Sequence, residues 1–293
     1  MFGSLKLFLQ DIKIAHSLFA MPFAIAMMVI VWNGEHAISW LAVLLIIGCL
    51  VAARSFAMGM NRVLDATYDS EQQRTANRMI PQGRLSRLAA LCWSLAFAAL
   101  FIVLSANLSR LAFYCSVPLL LILGVYPLTK RYTFLCHWYL GVCLGLTPLA
   151  VMVACGMPVN LTAAVLGASV ASWVAGFDII YSLQDEGYDR RKRLFSIPAC
   201  FGAATAIWCS RLCFLLTIVG FSIVGVISAG GWSYWLGVSI CAGILLAEHL
   251  MLRYFVRKQA LSNMRVNRIF FHANALMSLL FLVFVSLDVL LQA

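Results

Sequence analysis

Asn61, Asp65 and Asp69 recur every fourth residue, and Asp178, Asp185 and Asp189 follow one another at steps of seven and four. Positions three or four apart on a helix lie on neighbouring turns of one face, so each set is predicted to form a stripe of oxygen donors. Arg54, seven residues before Asn61, extends the first stripe. Seven of the eleven acidic residues (Asp65, Asp69, Glu71, Asp178, Asp185, Glu186 and Asp189) fall in these two windows. Both stripes are expected at helix C-termini, where the macrodipole already disfavours carboxylates, so something cationic has to compensate. Two sources are open: nearby arginines in a solvated network, or a divalent metal. Hard cations such as Mg²⁺ take oxygen ligands, keep several waters and are held by one or two carboxylates together with substrate phosphates. Two stripes fit a pair of Mg²⁺ ions clamping a diphosphate. Arg74, Arg78, Lys130, Arg131, Arg191 and Lys192 are then candidates for the remaining phosphate oxygens.

The elements that must position these residues are membrane helices. The chain is 63% hydrophobic and 11% charged, with a mean hydropathy of +0.94, far from the soluble average. Apolar runs recur at about 15–33, 38–60, 88–106, 110–129, 135–156, 161–182, 203–229, 232–252 and 269–290, each near the ~20 residues that a spanning helix needs. The prediction is an all-α bundle of nine transmembrane helices in a single domain, 1–293. Continuous Leu, Ile, Val and Ala runs argue against the alternating segments of a β-barrel. Helices 2 and 6 of this set each end in aspartates four apart, followed by a basic stretch and a proline (Pro81, Pro198), a weak sign of a duplicated unit.

The net charge of +10 is topological. Eighteen of the 21 Lys and Arg fall in the N-terminal segment and the even-numbered loops. The positive-inside rule therefore puts that side, and both acidic windows, in the cytoplasm, and the chain is expected in a bacterial inner membrane. Nucleic-acid binding is not indicated. Ten cysteines without a Cys-x-x-Cys pair indicate neither a disulfide framework nor a thiolate metal site. His16, His137, His249 and His272 form no ligand pair by spacing and read as interfacial or packing residues, and Glu248 as a local partner of Arg253. Asn107-Leu-Ser and Asn160-Leu-Thr fit the glycosylation pattern but stand in very short loops. Pro118, Pro127 and Pro148 are expected to kink their helices.

A diphosphate bound at the mouth of an apolar bundle suits a prenyl donor, whose chain lies in the membrane while its headgroup sits in the polar cap. Cations stabilise the leaving diphosphate, an allylic cation forms, and an electron-rich acceptor captures it. At this point the sequence resembles the UbiA superfamily of intramembrane aromatic prenyltransferases. The resemblance rests on Asn61-x-x-x-Asp65-x-x-x-Asp69, Arg74-Thr-Ala-Asn-Arg78-Met-Ile-Pro81-Gln-Gly83, Tyr126-Pro-Leu-Thr-Lys130-Arg131-Tyr-Thr133 and Asp178-x-x-Tyr181-x-x-x-Asp185-x-x-x-Asp189. It implies nine helices around a central cavity, Mg²⁺ dependence, and transfer of a polyprenyl group from its diphosphate to an aromatic acid such as 4-hydroxybenzoate, in respiratory quinone synthesis. By the same resemblance Arg54 holds the acceptor's carboxylate, Asp178 and Tyr181 lie near the reacting centre, and Lys130 and Arg131 lie near the diphosphate. Leu194-Phe-Ser-Ile-Pro198 is similar instead to relatives that prenylate a dihydroxynaphthoate for menaquinone, so the acceptor stays open between the two.

A secondary transporter is the alternative of another class; it would place its carboxylates near the bilayer midplane. The acids here fall at helix ends in metal-ligand spacing. The topology is open to direct test. Cysteines introduced at Ser70 and Ser262 are expected to react with an impermeant thiol reagent only in opened cells, and labelling of intact cells would overturn it.

Overall fold

A computed structural model describes residues 2–13, 21–32, 38–257 and 264–292, without the side chains of residues 2, 253–257 and 264–269. His16 and Ser262 lie outside the described residues. The helices are α1 (Phe2–Asp11), α2 (Met21–Val31), α3 (Trp40–Leu64), α4 (Ala66–Glu71), α5 (Arg87–Ala106), α6 (Arg110–Thr129) and α7 (Cys136–Ala154). They continue as α8 (Leu161–Ser182), α9 (Glu186–Lys192), α10 (Ile197–Ile227), α11 (Trp232–Arg257) and α12 (Met264–Gln292). Eight of the described helices are long and apolar enough to cross a membrane, and α2 is a shorter apolar helix in the first predicted run. The all-α membrane architecture is as the sequence predicts.

Side-chain caps fix where the helices start. Ser39, Ser86, Asn160 and Ser196 each accept a hydrogen bond from the backbone N–H three residues on, satisfying a donor that the first turn leaves open. Asn160 thus caps α8, and Asn107 donates to the carbonyl of Val103 at the end of α5. Helix capping accounts for both asparagines of the glycosylation-like triplets.

The chain divides into two compact units. The first comprises residues 1–17, 39–129 and 153–157. In it α3, α5 and α6 pack on one another, with α1 against α5. Phe8, Ile12, Val63, Leu85 and Ala90 form a buried cluster that seats α1 beside the end of α3. The second unit comprises residues 18–38, 130–152 and 158–293. There α8 packs on α10, α10 on α11, α11 on α12, and α12 on α2. Phe23, Trp173, Phe221 and Phe281 bring aromatic rings from α2, α8, α10 and α12 into one fully buried cluster, with centroids 4.3–6.1 Å apart.

The helix α10 begins at Ile197, earlier than its apolar run, and is kinked at Gly202, whose φ of 83° only glycine adopts readily. Between α7 and α8 the backbones touch. A Cβ on Gly145 would lie 2.5 Å from the Gly167 carbonyl oxygen, and one on Gly141 would strike the carbonyl of Ala171. Small residues let membrane helices approach this closely. Gly145→Leu is expected to cost at least about 1–3 kcal/mol through overpacking. Gly243, where an added methyl would meet nothing within 4 Å, is the control. Thermal unfolding in detergent should separate Gly145→Leu from a near-neutral Gly243→Leu.

Candidate active site

The first acidic window does not continue as one helix. Instead α3 ends at Leu64, Asp65 sits at the break with φ −95° and ψ 8°, and α4 starts at Ala66. The second window breaks in the same way. There α8 ends at Ser182, a 3₁₀ turn spans Leu183–Asp185, Asp185 has φ −97° and ψ −1°, and α9 starts at Glu186. The predicted continuous stripes are therefore corrected. In both windows the middle aspartate occupies the sparsely allowed bridge region and the last aspartate lies in a short second helix. The match supports the duplicated pattern noted in the sequence.

In the first unit Asn61 donates through Nδ2 to Asp65 Oδ2 at 3.0 Å, and its Oδ1 accepts from Arg62 Nη1 at 2.8 Å. Asp69 is 5% exposed and takes Arg78 Nη1 at 2.6 Å. The segment between them is folded back by Thr75, whose hydroxyl donates to the carbonyl of Asp69. Arg62, 5% exposed, is clasped by Asp11: Nε lies 3.6 Å from Asp11 Oδ2 and donates to the Asp11 carbonyl at 3.3 Å. Asp11 Oδ1 accepts the backbone N–H of Met79 at 2.9 Å. Asp11 was not among the sequence candidates, because it stands alone in the N-terminal segment; its partner Arg62 lies beside Asn61 but spans 51 positions in sequence.

Arg54 donates to the carbonyl of Ile12 at 3.4 Å. Its unit offers no carboxylate within ion-pairing distance of it among the described residues. Arg74 lies on the loop between α4 and α5 with Arg78. Lys13 is pushed below the usual lysine value of 10.5 by burial and by the like charges of Arg62, Arg78 and Arg74, with Asp11 acting against them.

In the second unit Asp189 is fully buried, with Lys130 Nζ at 2.9 Å from Oδ1 and the Ser196 hydroxyl donating to Oδ2 at 2.9 Å. Burial works to lower the Lys130 pKa, but the charge and hydrogen bond of Asp189, with Asp185 behind, outweigh it and hold the ammonium above 10.5. The stabilisation from this raised value is complete below 10.5 and is lost only as pH rises through the folded-state value. Arg193 ends α9 in the left-handed conformation, φ 54°, and reverses the chain. Phe195 N–H then donates to the Lys130 carbonyl at 2.7 Å, and Cys136 Sγ to the Phe195 carbonyl at 3.4 Å. The Leu194-Phe-Ser-Ile-Pro198 segment is thereby knitted to the loop that carries Lys130 and Arg131.

Asp178 meets His137, whose Nδ1 lies 2.7 Å from Asp178 Oδ2. His137, read from the sequence as a packing or interfacial residue, is in contact with a candidate catalytic carboxylate. Spacing gives no sign of it, since the two residues are 41 positions apart on different helices. Tyr181, one turn beyond Asp178, has its ring 6.2 Å from that of Phe177. Arg191 and Lys192 are exposed on α9, while Arg190, which was not a candidate, pairs with Glu186 at 2.9 Å and reaches the carbonyl of Ala199. Glu248 is fully buried and accepts from Asn274 Nδ2 at 2.7 Å, while Asn274 Oδ1 accepts from Trp173 Nε1. The side chain of Arg253, its expected partner, lies outside the described residues.

Among the described residues no three His, Cys, Asp or Glu side chains converge as a metal-binding group. The donor chemistry nevertheless suits Mg²⁺. Each window supplies hard oxygen donors, and in each the last carboxylate is buried against a cation rather than left in water. Mg²⁺ needs only one or two such carboxylates when phosphates complete its shell.

Residues 20–275 match the model of the UbiA prenyltransferase family. The chain belongs to that family. It is 26% identical to a 4-hydroxybenzoate octaprenyltransferase of Paraburkholderia phytofirmans over 91% of this chain and 93% of the relative. A protein of the same name from Neisseria gonorrhoeae is 26% identical over 83% of each chain. Among solved structures, the apo form of a UbiA homolog from Aeropyrum pernix superimposes with a TM-score of 0.80 at 24% identity, covering 95% of this chain and 98% of that one. A UbiA homolog from Archaeoglobus fulgidus bound to GPP and Mg²⁺ gives 0.70 at 17% identity, covering 97% and 99%. These two likenesses show the UbiA fold. The protein is an integral membrane prenyltransferase, as its motifs imply.

Proposed function

We propose that this UbiA-family protein transfers a polyprenyl group from polyprenyl diphosphate to an aromatic acid, 4-hydroxybenzoate, in respiratory quinone synthesis, with Mg²⁺ as cofactor. The observation that carries this reading is the shared geometry of the two windows, each with a bridge-region aspartate at a helix break and a buried aspartate neutralised by a loop cation. The names of the relatives and the GPP and Mg²⁺ in the Archaeoglobus structure support it. We place the N-terminus and both windows in the cytoplasm, on the charge asymmetry of the loops.

Asn61, Asp65 and Asp69 in one window, and Asp185 and Asp189 in the other, are proposed to hold Mg²⁺. When bound, the metal neutralises the negative charge that builds on the leaving diphosphate. Arg78 and Lys130, now paired with carboxylates, would turn to phosphate oxygens, joined by Arg74, Arg131, Arg191 and Lys192. Breaking of the donor C–O bond sends its electron pair to the diphosphate. An electron-rich ring carbon of the acceptor forms the new C–C bond, and the ring proton passes to Asp178. Tyr181, beside Phe177, offers an aromatic surface to the allylic cation and keeps water from it. The Leu194–Pro198 segment supports a dihydroxynaphthoate as the second acceptor to be assayed.

Asp65→Asn and Asp185→Asn should each abolish prenyl transfer in membranes while the protein remains inserted, and excess chelator should do the same to the wild-type chain. Full activity under either condition would remove the metal assignment.

Arg54 is assigned to the acceptor's carboxylate, because a guanidinium matches a carboxylate in planar geometry and, among the described residues, this one is ion-paired with no carboxylate and donates to the backbone carbonyl of Ile12. Arg54→Ala should weaken use of the aromatic acid by about 2–3 kcal/mol, the upper range for hydrogen bonds to charged groups, with little effect on apparent affinity for the prenyl diphosphate. Steady-state kinetics with each substrate varied in turn decide it; a loss confined to the donor would make Arg54 a diphosphate residue.

A further inference from the structure

His137 stands on the first turn of α7, 2% exposed, and both of its ring nitrogens are engaged. Nε2 lies 3.3 Å from the backbone nitrogen of Ile197. A main-chain N–H can only donate, so Nε2 accepts, and the single proton of the neutral ring is on Nδ1. That proton is donated to Asp178 Oδ2 across 2.7 Å. Ile197 is the first residue of α10, where an N–H has no partner within its own helix. The preceding residue, Ser196, caps the same helix and donates to Asp189. The tautomer of His137 is thus set by a helix terminus that is itself tied to the buried aspartate of the second window. The Asp178 side chain remains 31% exposed, and its contact with His137 is made through Oδ2 alone.

We infer that His137 is a positioning residue that fixes Asp178 through Oδ2 and presents Oδ1 for the proton lost by the aromatic acceptor. The inference rests on the reading of the protein as an aromatic prenyltransferase. In the step concerned the ring carbon bonds to the allylic carbon and the diphosphate leaves with the electron pair of the broken C–O bond. The ring C–H electrons restore aromaticity, and the proton goes to Asp178 Oδ1 and then to water. His137 donates one hydrogen bond throughout and neither gains nor loses a proton.

Two substitutions split its two contacts. In His137→Asn the side-chain amide nitrogen falls where Nδ1 was and keeps the donor to Asp178, while the contact with Ile197 is lost. In His137→Gln the amide oxygen falls where Nε2 was and keeps the contact with Ile197, while the donor to Asp178 is lost. The purified full-length chain is assayed in liposomes with Mg²⁺, geranyl diphosphate and 4-hydroxybenzoate or a dihydroxynaphthoate, and thermal unfolding is measured on the same preparations. Loss of one hydrogen bond to a charged group corresponds to about tenfold to hundredfold in kcat. His137→Gln is expected to fall by that factor with little change in KM for geranyl diphosphate. His137→Asn is expected to recover at least about tenfold of it. Stability should run in the opposite order, with the Asn variant the less stable. In an Asp178→Asn background, His137→Gln should cost nothing further. Equal impairment of the two variants, the same order in both measurements, additive losses in the double variant, or failure of His137→Gln to fold would each overturn the inference and make His137 a structural tie for α10. A wild-type chain that prenylates neither aromatic acid would instead overturn the proposed function.

Discussion

In each acidic window the last carboxylate is buried against a cation brought by a loop, and these two ion pairs organise both windows. Asp69 is buried with Arg78, and Asp189 with Lys130. Each cation comes from a loop that must fold back to reach its aspartate, so the loops are shaped by the pairs. Thr75 ties the first loop to the backbone of Asp69, and Phe195 ties the second to the backbone of Lys130. The break at Asp65 and at Asp185 serves the same end, because it frees the short second helix to turn its last aspartate inward. A buried pair of this kind contributes little net stability, but removing one partner is costly. The arrangement therefore keeps one cation and one carboxylate together in each window.

Packing within each unit supplies the rigidity this needs. In the first, α1 is held by an apolar cluster at the end of α3, which places Asp11 against Arg62 and fixes the side chain beside Asn61. In the second, the glycines of α7 let its backbone reach that of α8, and the same helix pair carries His137 and Asp178. The aromatic cluster of Phe23, Trp173, Phe221 and Phe281 holds α8 from its other side, so that Asp178 projects from a helix with little freedom to shift. Polar chemistry on a rigid apolar scaffold is the general solution where binding groups must be preorganised.

The sequence alone determined the membrane class, the order and approximate place of the long apolar helices, and the two acidic windows, but not the short helices α1, α4 and α9. These are one-dimensional signals: run length, composition and spacing. Periodicity suggested that each window was one continuous stripe, and it could not reveal the breaks at Asp65 and Asp185, since local spacing is the same in a straight helix and a broken one. The pairs Asp11 with Arg62, Lys130 with Asp189 and His137 with Asp178 were beyond it as well. Their members are 51, 59 and 41 positions apart, and only packing of separate helices brings them within reach. The lone Asp11 and the isolated His137 carry no local pattern; what gives each a role is a partner delivered by the tertiary fold, because the cost of burying a charge is set by neighbours in space and not by neighbours in the chain.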